Sequence, residues 1–232
     1  MKYEINRIDL NGVNSYLIKT EKGDLLVDTG GPMFLDKEYN SRRELLVNKL
    51  TELECTKETL KLIILTHGDC DHCYNAKYLS DIYNVPIALH KADEYLVNQL
   101  TSKAILESCN YKSFMYRVIM RFMKPIIKKV SLKIVSEFED FLPSILIEEG
   151  MRLDEYGLEG GLVHIPGHTK GSIAIITDIG DCIVGDTYVN LKKPQVAMNA
   201  LDFNQLASSL KKLSTYNIKR MYPGHGNPYT IE

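Results

Sequence analysis

The chain has 232 residues, 44% of them hydrophobic, and a formal net charge of −2. That is enough apolar material for a full core within one domain, and so even a charge balance gives nucleic acid or an acidic membrane no overall electrostatic pull. The opening Met1-Lys2-Tyr3-Glu4-Ile5-Asn6-Arg7-Ile8-Asp9 lacks the apolar core of a signal peptide, no apolar run reaches membrane-spanning length, and five scattered cysteines suggest no disulfide framework; the expectation is a soluble protein of a reducing cytoplasm, with no stable membrane insertion.

Short β-branched runs alternating with helical patterns predict an α/β fold. Strands are expected near 3–9, 13–19 and 24–28, then a helix over about 41–54 whose stripe is spaced by Leu45, Leu46, Lys49 and Leu50. Strands near 61–66 and 86–90 bracket a helix that starts just after His72 and runs through Ala76, Leu79 and Ile82. From about 91 to 148 the alternation breaks into a mostly helical excursion, with Pro125 and Pro143 as kinks or ends. Within it Lys112, Arg117, Arg121, Lys124, Lys128, Lys129 and Lys133 occur with no acidic residue between them, interleaved with Met115, Met120, Phe122 and Met123. This excursion is a solvated basic face, a cap that selects anionic or acyl-bearing substrates, or a peripheral membrane contact; its apolar residues either cover a site or pair with a second copy in a homodimer. Strands near 162–165, 172–177, 181–185 and 219–222 follow, with a helix over 203–216 capped by Asp202 and carrying Leu206, Leu210 and Leu213 on one face.

The chemistry begins at Thr66-His67-Gly68-Asp69-Cys70-Asp71-His72, directly after the apolar Leu62-Ile63-Ile64-Leu65. Its four metal-capable side chains suit a strand-end loop that wraps a cation, because a regular helix or strand would send them to different faces. An Asp/His-rich loop by itself can be a solvated turn, but the grammar of apolar run, tight turn and polar tip recurs. It closes on His168 after Ile165-Pro166-Gly167, on His225 after Tyr222-Pro223-Gly224, on Asp186 after Ile183-Val184-Gly185, and on Asp28 after Leu25-Leu26-Val27. Loops at the ends of rigid strands are where proteins place reactive groups.

Val-Asp-Thr-Gly at 27–30, Thr-His-x-x-x-Asp-His at 66–72, Pro-Gly-His-Thr at 166–169, Gly-Asp at 185–186 and Pro-Gly-His-Gly at 223–226, taken in that order, resemble the metallo-β-lactamase-fold hydrolases, in the glyoxalase II-like part of that superfamily. The resemblance covers nearly the whole chain and implies a four-layer αββα sandwich: one domain over 1–232, including the helical insertion, with a metal site at one edge. It implies two divalent metal ions, zinc, iron or manganese. His67, Asp69 and His168 would hold the first, Asp71, His72 and His225 the second, and Asp186 would bridge them. A metal-bound hydroxide would then attack the substrate, with Asp71 orienting it and passing its proton on. Asp28 would hold a ligand in place by accepting its hydrogen bond; His164 either does the same or faces the core, and His90 is structural. Cys70 and Cys73 match no cysteine zinc motif and read as packing. Tyr188, just past Asp186, is placed to donate to an oxyanion.

The commoner family pattern is His-x-His-x-Asp-His, and here its second histidine is Asp69. Three carboxylates plus a hydroxide leave a neutral site where the usual one keeps a positive charge, and the added oxygen ligand tilts preference toward iron or manganese. Aspartate is shorter than histidine, so Asp69 is expected to reach the first metal only if its loop moves inward. The expected function is hydrolysis of a small thioester, lactone or related ester; β-lactams fit less well, because Asp186 stands where zinc β-lactamases often carry cysteine. The alternative is a di-iron oxidoreductase receiving electrons from a separate protein, since the chain stops at Glu232 without a flavodoxin-like domain. An RNA-processing role lacks a base-stacking platform, so a small-molecule substrate and no nucleic acid are expected.

Overall fold

The computed structural model describes residues 3–34, 36, 38–108 and 110–231. Strands β1 (Tyr3–Asp9), β2 (Asn14–Thr20) and β3 (Gly23–Val27) form an antiparallel meander. Helix α1 (Arg43–Glu52) leads into β4 (Leu60–Ile64), the one-turn α2 (Cys70–Cys73), α3 (Ala76–Tyr83) and β5 (Ile87–His90). The excursion contains α4 (Glu94–Val97), α5 (Ser102–Ser108) and α6 (Phe114–Glu137), then returns as β6 (Ile145–Ile147). The order in the first sheet is β1-β2-β3-β4-β5-β6, parallel from β3 onward. The second half supplies β7 (Gly160–His164), β8 (Ile173–Thr177), β9 (Asp181–Asn190), β10 (Gln195–Val196), α7 (Phe203–Leu213), β11 (Arg220–Gly226) and β12 (Tyr229–Thr230). Its order is β12-β11-β9-β8-β7, with β10 against β9.

Period-two alternation sets the layers. In β4, Leu62 and Ile64 enter the cluster between the sheets with Ile18, Ile173 and Ile183, while Ile63 joins Leu46, Leu50 and Leu79 beneath α1 and α3. In β9, Ile183 faces inward and Cys182 and Val184 face Leu213 of α7. Each such fully buried aliphatic side chain contributes about 1.5–3 kcal/mol of apolar burial. The result is the expected α/β fold of αββα type, helix on sheet on sheet on helix. Asp202 caps α7, its Oδ1 accepting from the amides of Asn204 and Gln205 at 2.8 and 3.1 Å.

Three details differ from the sequence reading. β6, β10 and β12 are short strands that carry too few residues to show a period. The excursion is helical only to Glu137, and β6 adds to the first sheet alongside β5. Pro125 neither ends α6 nor divides it; the proline is exposed, so water can take the carbonyl that its missing N–H leaves free. Pro143 lies in irregular chain between α6 and β6.

Candidate metal centre

The site lies where parallel strands end. Asp28 follows β3 with φ of 58°, a left-handed conformation that aspartate and asparagine adopt more readily than other side chains. Beyond β4 the chain runs without regular structure, bending at Thr66, to an extended Asp69 (φ −67°, ψ 140°) and then coils into α2, so Asp71 and His72 sit on one helical turn rather than in open loop. Asp186 and His225 also differ from strand-end loops, since both lie within strands. Gly185 has φ of 52°, and the β9–β11 register slips on both sides of Pro223. Such irregularities re-aim side chains. A Cβ on Gly185 would lie 2.6 Å from Thr66 Oγ1, so glycine is required there for space as well as for φ.

Seven polar tips converge. Asp69 Oδ2 lies 3.2 Å from His168 Nε2 and 3.8 Å from His67 Nε2. The shorter aspartate does reach its neighbours, because its side chain makes no capping bond to α2 and is free to turn inward. Asp71 Oδ2 is 3.4 Å from His225 Nε2 and 3.9 Å from His72 Nε2. Asp186 borders both groups: Oδ1 is 3.2 Å from His72 Nε2, and Oδ2 is 3.1 Å from His225 Nε2 and 3.7 Å from His168 Nε2. His67, Asp69 and His168 form one group able to hold a metal ion, and Asp71, His72 and His225 another.

Each imidazole is held from behind. His72 Nδ1 is 2.9 Å from Asp28 Oδ2, His168 Nδ1 3.2 Å from the Asn199 carbonyl, and His225 Nδ1 2.5 Å from the Gly12 carbonyl. Those partners only accept, so each Nδ1 carries the proton. The Thr66 hydroxyl donates to Asp28 Oδ2 at 2.7 Å and accepts from His67 Nδ1 at 2.9 Å. All four Nε2 atoms therefore face the centre unprotonated, free to take a cation. His67 Nε2, His168 Nε2 and Asp186 Oδ1 are buried with no hydrogen-bond partner among the described residues. Buried polar atoms are seldom left so, and these three fit a cation well.

Charge follows the same layout. Burial opposes a charged His168 and His225, but the Asp69 and Asp186 carboxylates raise the first to about 9, and Asp186 with Asp71 raises the second to about 10. Burial is likewise overridden at His72, which Asp186, Asp71 and Asp28 hold well above the usual histidine range. His67 goes the other way, held low by burial and by His72 and His168. Burial resists ionisation of Asp186, and His225 and His72 nevertheless keep it well below the carboxylate range. Without a cation, protons occupy its place.

Other residues singled out from the sequence lie elsewhere. Tyr188 is not brought to the centre: it packs with Ile218 and Tyr229 against the cluster under α7, since the register slip of β9 between Gly185 and Val189 breaks the alternation that would align it with Asp186. His164 holds no ligand; its Nε2 bonds the Lys170 carbonyl at 2.9 Å, and its ring stacks on His90 at 3.9 Å. Cys70 and Cys73 are buried, with Cys73 Sγ donating to the Gly68 carbonyl at 3.3 Å.

Asp93 escaped the sequence reading. Fully buried, it accepts from Gly68 N at 3.0 Å, Thr169 Oγ1 at 2.6 Å and Gly171 N at 2.6 Å. It thereby ties the His67 loop to the His168 loop. A carboxylate just past the strand ending in His90 was the available signal. The Asn199 and Gly12 carbonyls left none, because any residue carries one.

The profile of the Metallo-beta-lactamase superfamily matches residues 8–225, and the chain belongs to that family. It is similar to an uncharacterized protein of Mycobacterium leprae, ML0493, at 25% identity over 94% of this chain and 88% of that one. It is also similar to the hydroxyacylglutathione hydrolase GloC of Haemophilus influenzae, at 28% over 67% of this chain and 56% of that one. Among solved structures, TTHA1623 in a di-iron-bound form superposes with a TM-score of 0.61 at 24% identity, covering 94% of this chain and 89% of that one. Family and site together make this a metal-dependent hydrolase.

Proposed function

We propose that the chain hydrolyses a small thioester, lactone or related ester at a binuclear metal centre, as a member of the glyoxalase II-like branch. The position of Asp186, within 3.7 Å of imidazoles from both ligand groups, is the observation that carries this reading. On it, His67, Asp69 and His168 would hold one cation and Asp71, His72 and His225 the other, with the Asp186 carboxylate beside both groups. Divalent cations bound there would supply Lewis acidity and lower the pKa of a bound water toward about 7. Asp71 orients the attacking water and takes its proton, then delivers it to the leaving thiolate or alkoxide as the acyl bond breaks. Asp28, Thr66 and the Asn199 and Gly12 carbonyls fix the imidazoles, so that little reorganisation accompanies the reaction. Similarity to GloC supports a thioester, and Asp186 in place of cysteine argues against a β-lactam.

Asp69 adds a third carboxylate, which favours harder cations. Stripped protein is to be reconstituted with Fe(II), Mn(II) or Zn(II) and assayed on a thioester and lactone panel. Turnover with iron or manganese at least equal to zinc, and its loss in Asp71→Ala, are expected. Activity unique to zinc overturns the metal preference; no turnover with any of the three overturns the hydrolase. The same Asp69 favours a second reading, a di-iron oxidoreductase, which visible iron absorption with reductant-driven oxygen consumption would identify.

A further inference from the structure

Helix α6 has two unlike halves. Its C-terminal half is anchored: Ile127, Ser131 and Ile134 are buried, and Ile134 packs in the cluster that contains Cys70 and Tyr74. Its N-terminal half exposes large apolar side chains, Phe114 at 74% and Phe122 at 79%, with Met115, Val118, Ile119 and Ile126 beside them. At about 100° per residue these six fall within an arc of about 140°. Arg117, Arg121, Lys124 and Lys128 form the adjoining face and line a groove against α5.

The charge of this segment is one-sided. Seven lysines and arginines and no acid lie between Glu107 and Glu137. Among the described residues only Lys133 of the seven pairs with a carboxylate, Glu137 at 3.9 Å. A second copy placed symmetrically on this face would bring like charges together. An anionic lipid surface satisfies both faces at once: the apolar arc enters the acyl boundary and the flanking cations reach the headgroups. The cations also forbid crossing, and no helix is long and apolar enough to span a membrane.

The geometry points to α6 as an in-plane anchor that docks this protein on bilayers rich in anionic headgroups. Anchored helix and metal centre share a wall, because Cys70 and Tyr74 flank Asp71 and His72, so docking holds the catalytic edge at a fixed place relative to the lipid. This inference is independent of the substrate proposed above.

Flotation of the purified full chain with phosphatidylglycerol–phosphatidylcholine vesicles tests it, against pure phosphatidylcholine and at low and high salt. Binding to the anionic vesicles, weakened at least about tenfold by salt, is expected. Phe114→Ser with Phe122→Ser, and separately Arg117→Glu with Arg121→Glu, each reduce partition at least about fivefold while hydrolysis of a soluble ester and thermal unfolding stay unchanged. The chain has no tryptophan, so Phe122→Trp adds a single reporter whose emission shifts to the blue on anionic vesicles only. A folded protein that fails to float overturns the proposal. So does salt-independent binding to neutral vesicles, or a dimer that the paired serine variant dissociates, which would assign the face to a second copy.

Discussion

Asp28 Oδ2 lies 2.9 Å from His72 Nδ1 and 2.7 Å from the Thr66 hydroxyl, while Oδ1 accepts the Thr66 amide at 2.7 Å. One buried carboxylate thus aligns two candidate ligands, His72 directly and His67 through Thr66. Asp28→Asn isolates that role, since asparagine tolerates the positive φ yet turns an amide donor toward at least one of these donors. Metal affinity is expected to fall about 10–100-fold with the fold retained, measured by chelator competition; unchanged affinity would remove Asp28 from the support of the site.

Asp93 joins the His67 and His168 loops across the sandwich, and its removal leaves Gly68 N and Gly171 N without that acceptor and Thr169 Oγ1 with Ser172 Oγ alone. Asp93→Ala is expected to lower stability by about 2–4 kcal/mol and to weaken binding in the group formed by His67, Asp69 and His168. Urea unfolding and metal stoichiometry read the two effects separately. Full stability would mean that water replaces the carboxylate.

Gly224 has no unusual φ, so its glycine is a matter of space: an added Cβ would stand 2.1 Å from Asp186 Oδ1 and 2.7 Å from His72 Cε1. Gly224→Ala should displace one of those ligands while the strands still pair. Loss of one metal equivalent and at least about a tenfold drop in turnover are expected, with circular dichroism unchanged. A variant that keeps both metals and full activity would show that β11 shifts freely.

Much of this was legible in sequence because strand ends are marked twice. An apolar run of the right length predicts the longer strands, and a tight turn followed by histidine or aspartate marks the reactive end; His67, His72, His168, Asp186 and His225, singled out that way, lie together in the fold. What failed was local direction. Tyr188 follows Asp186 by two positions and should share its face, but the register of β9 slips between Gly185 and Val189, across the pair. His164 obeys the same grammar as His168 and spends its Nε2 on a backbone carbonyl. Asp93 is one carboxylate among many acids until the fold places three donors around it.

The protonation of the site makes stability depend on pH in a way that bound metal should abolish. In the stripped protein burial disfavours charge on His168 and His225, yet their carboxylate neighbours raise them to about 9 and about 10. A histidine whose folded pKa exceeds its unfolded value of about 6.5 stabilises the fold fully below that value. The contribution disappears as pH rises through the folded pKa. Stripped protein should therefore lose stability from about pH 6.5 to about 10. A cation displaces these protons and holds the imidazoles neutral, so loaded protein should lack that slope and binding should release protons. Unfolding midpoints with chelator and with saturating metal should diverge steadily across this interval, and calorimetry in buffers of different ionisation heat should count the protons released. A stripped protein whose stability is level or rises with pH there would mean that the imidazoles are already neutral, and that the carboxylates around them carry the charge unopposed.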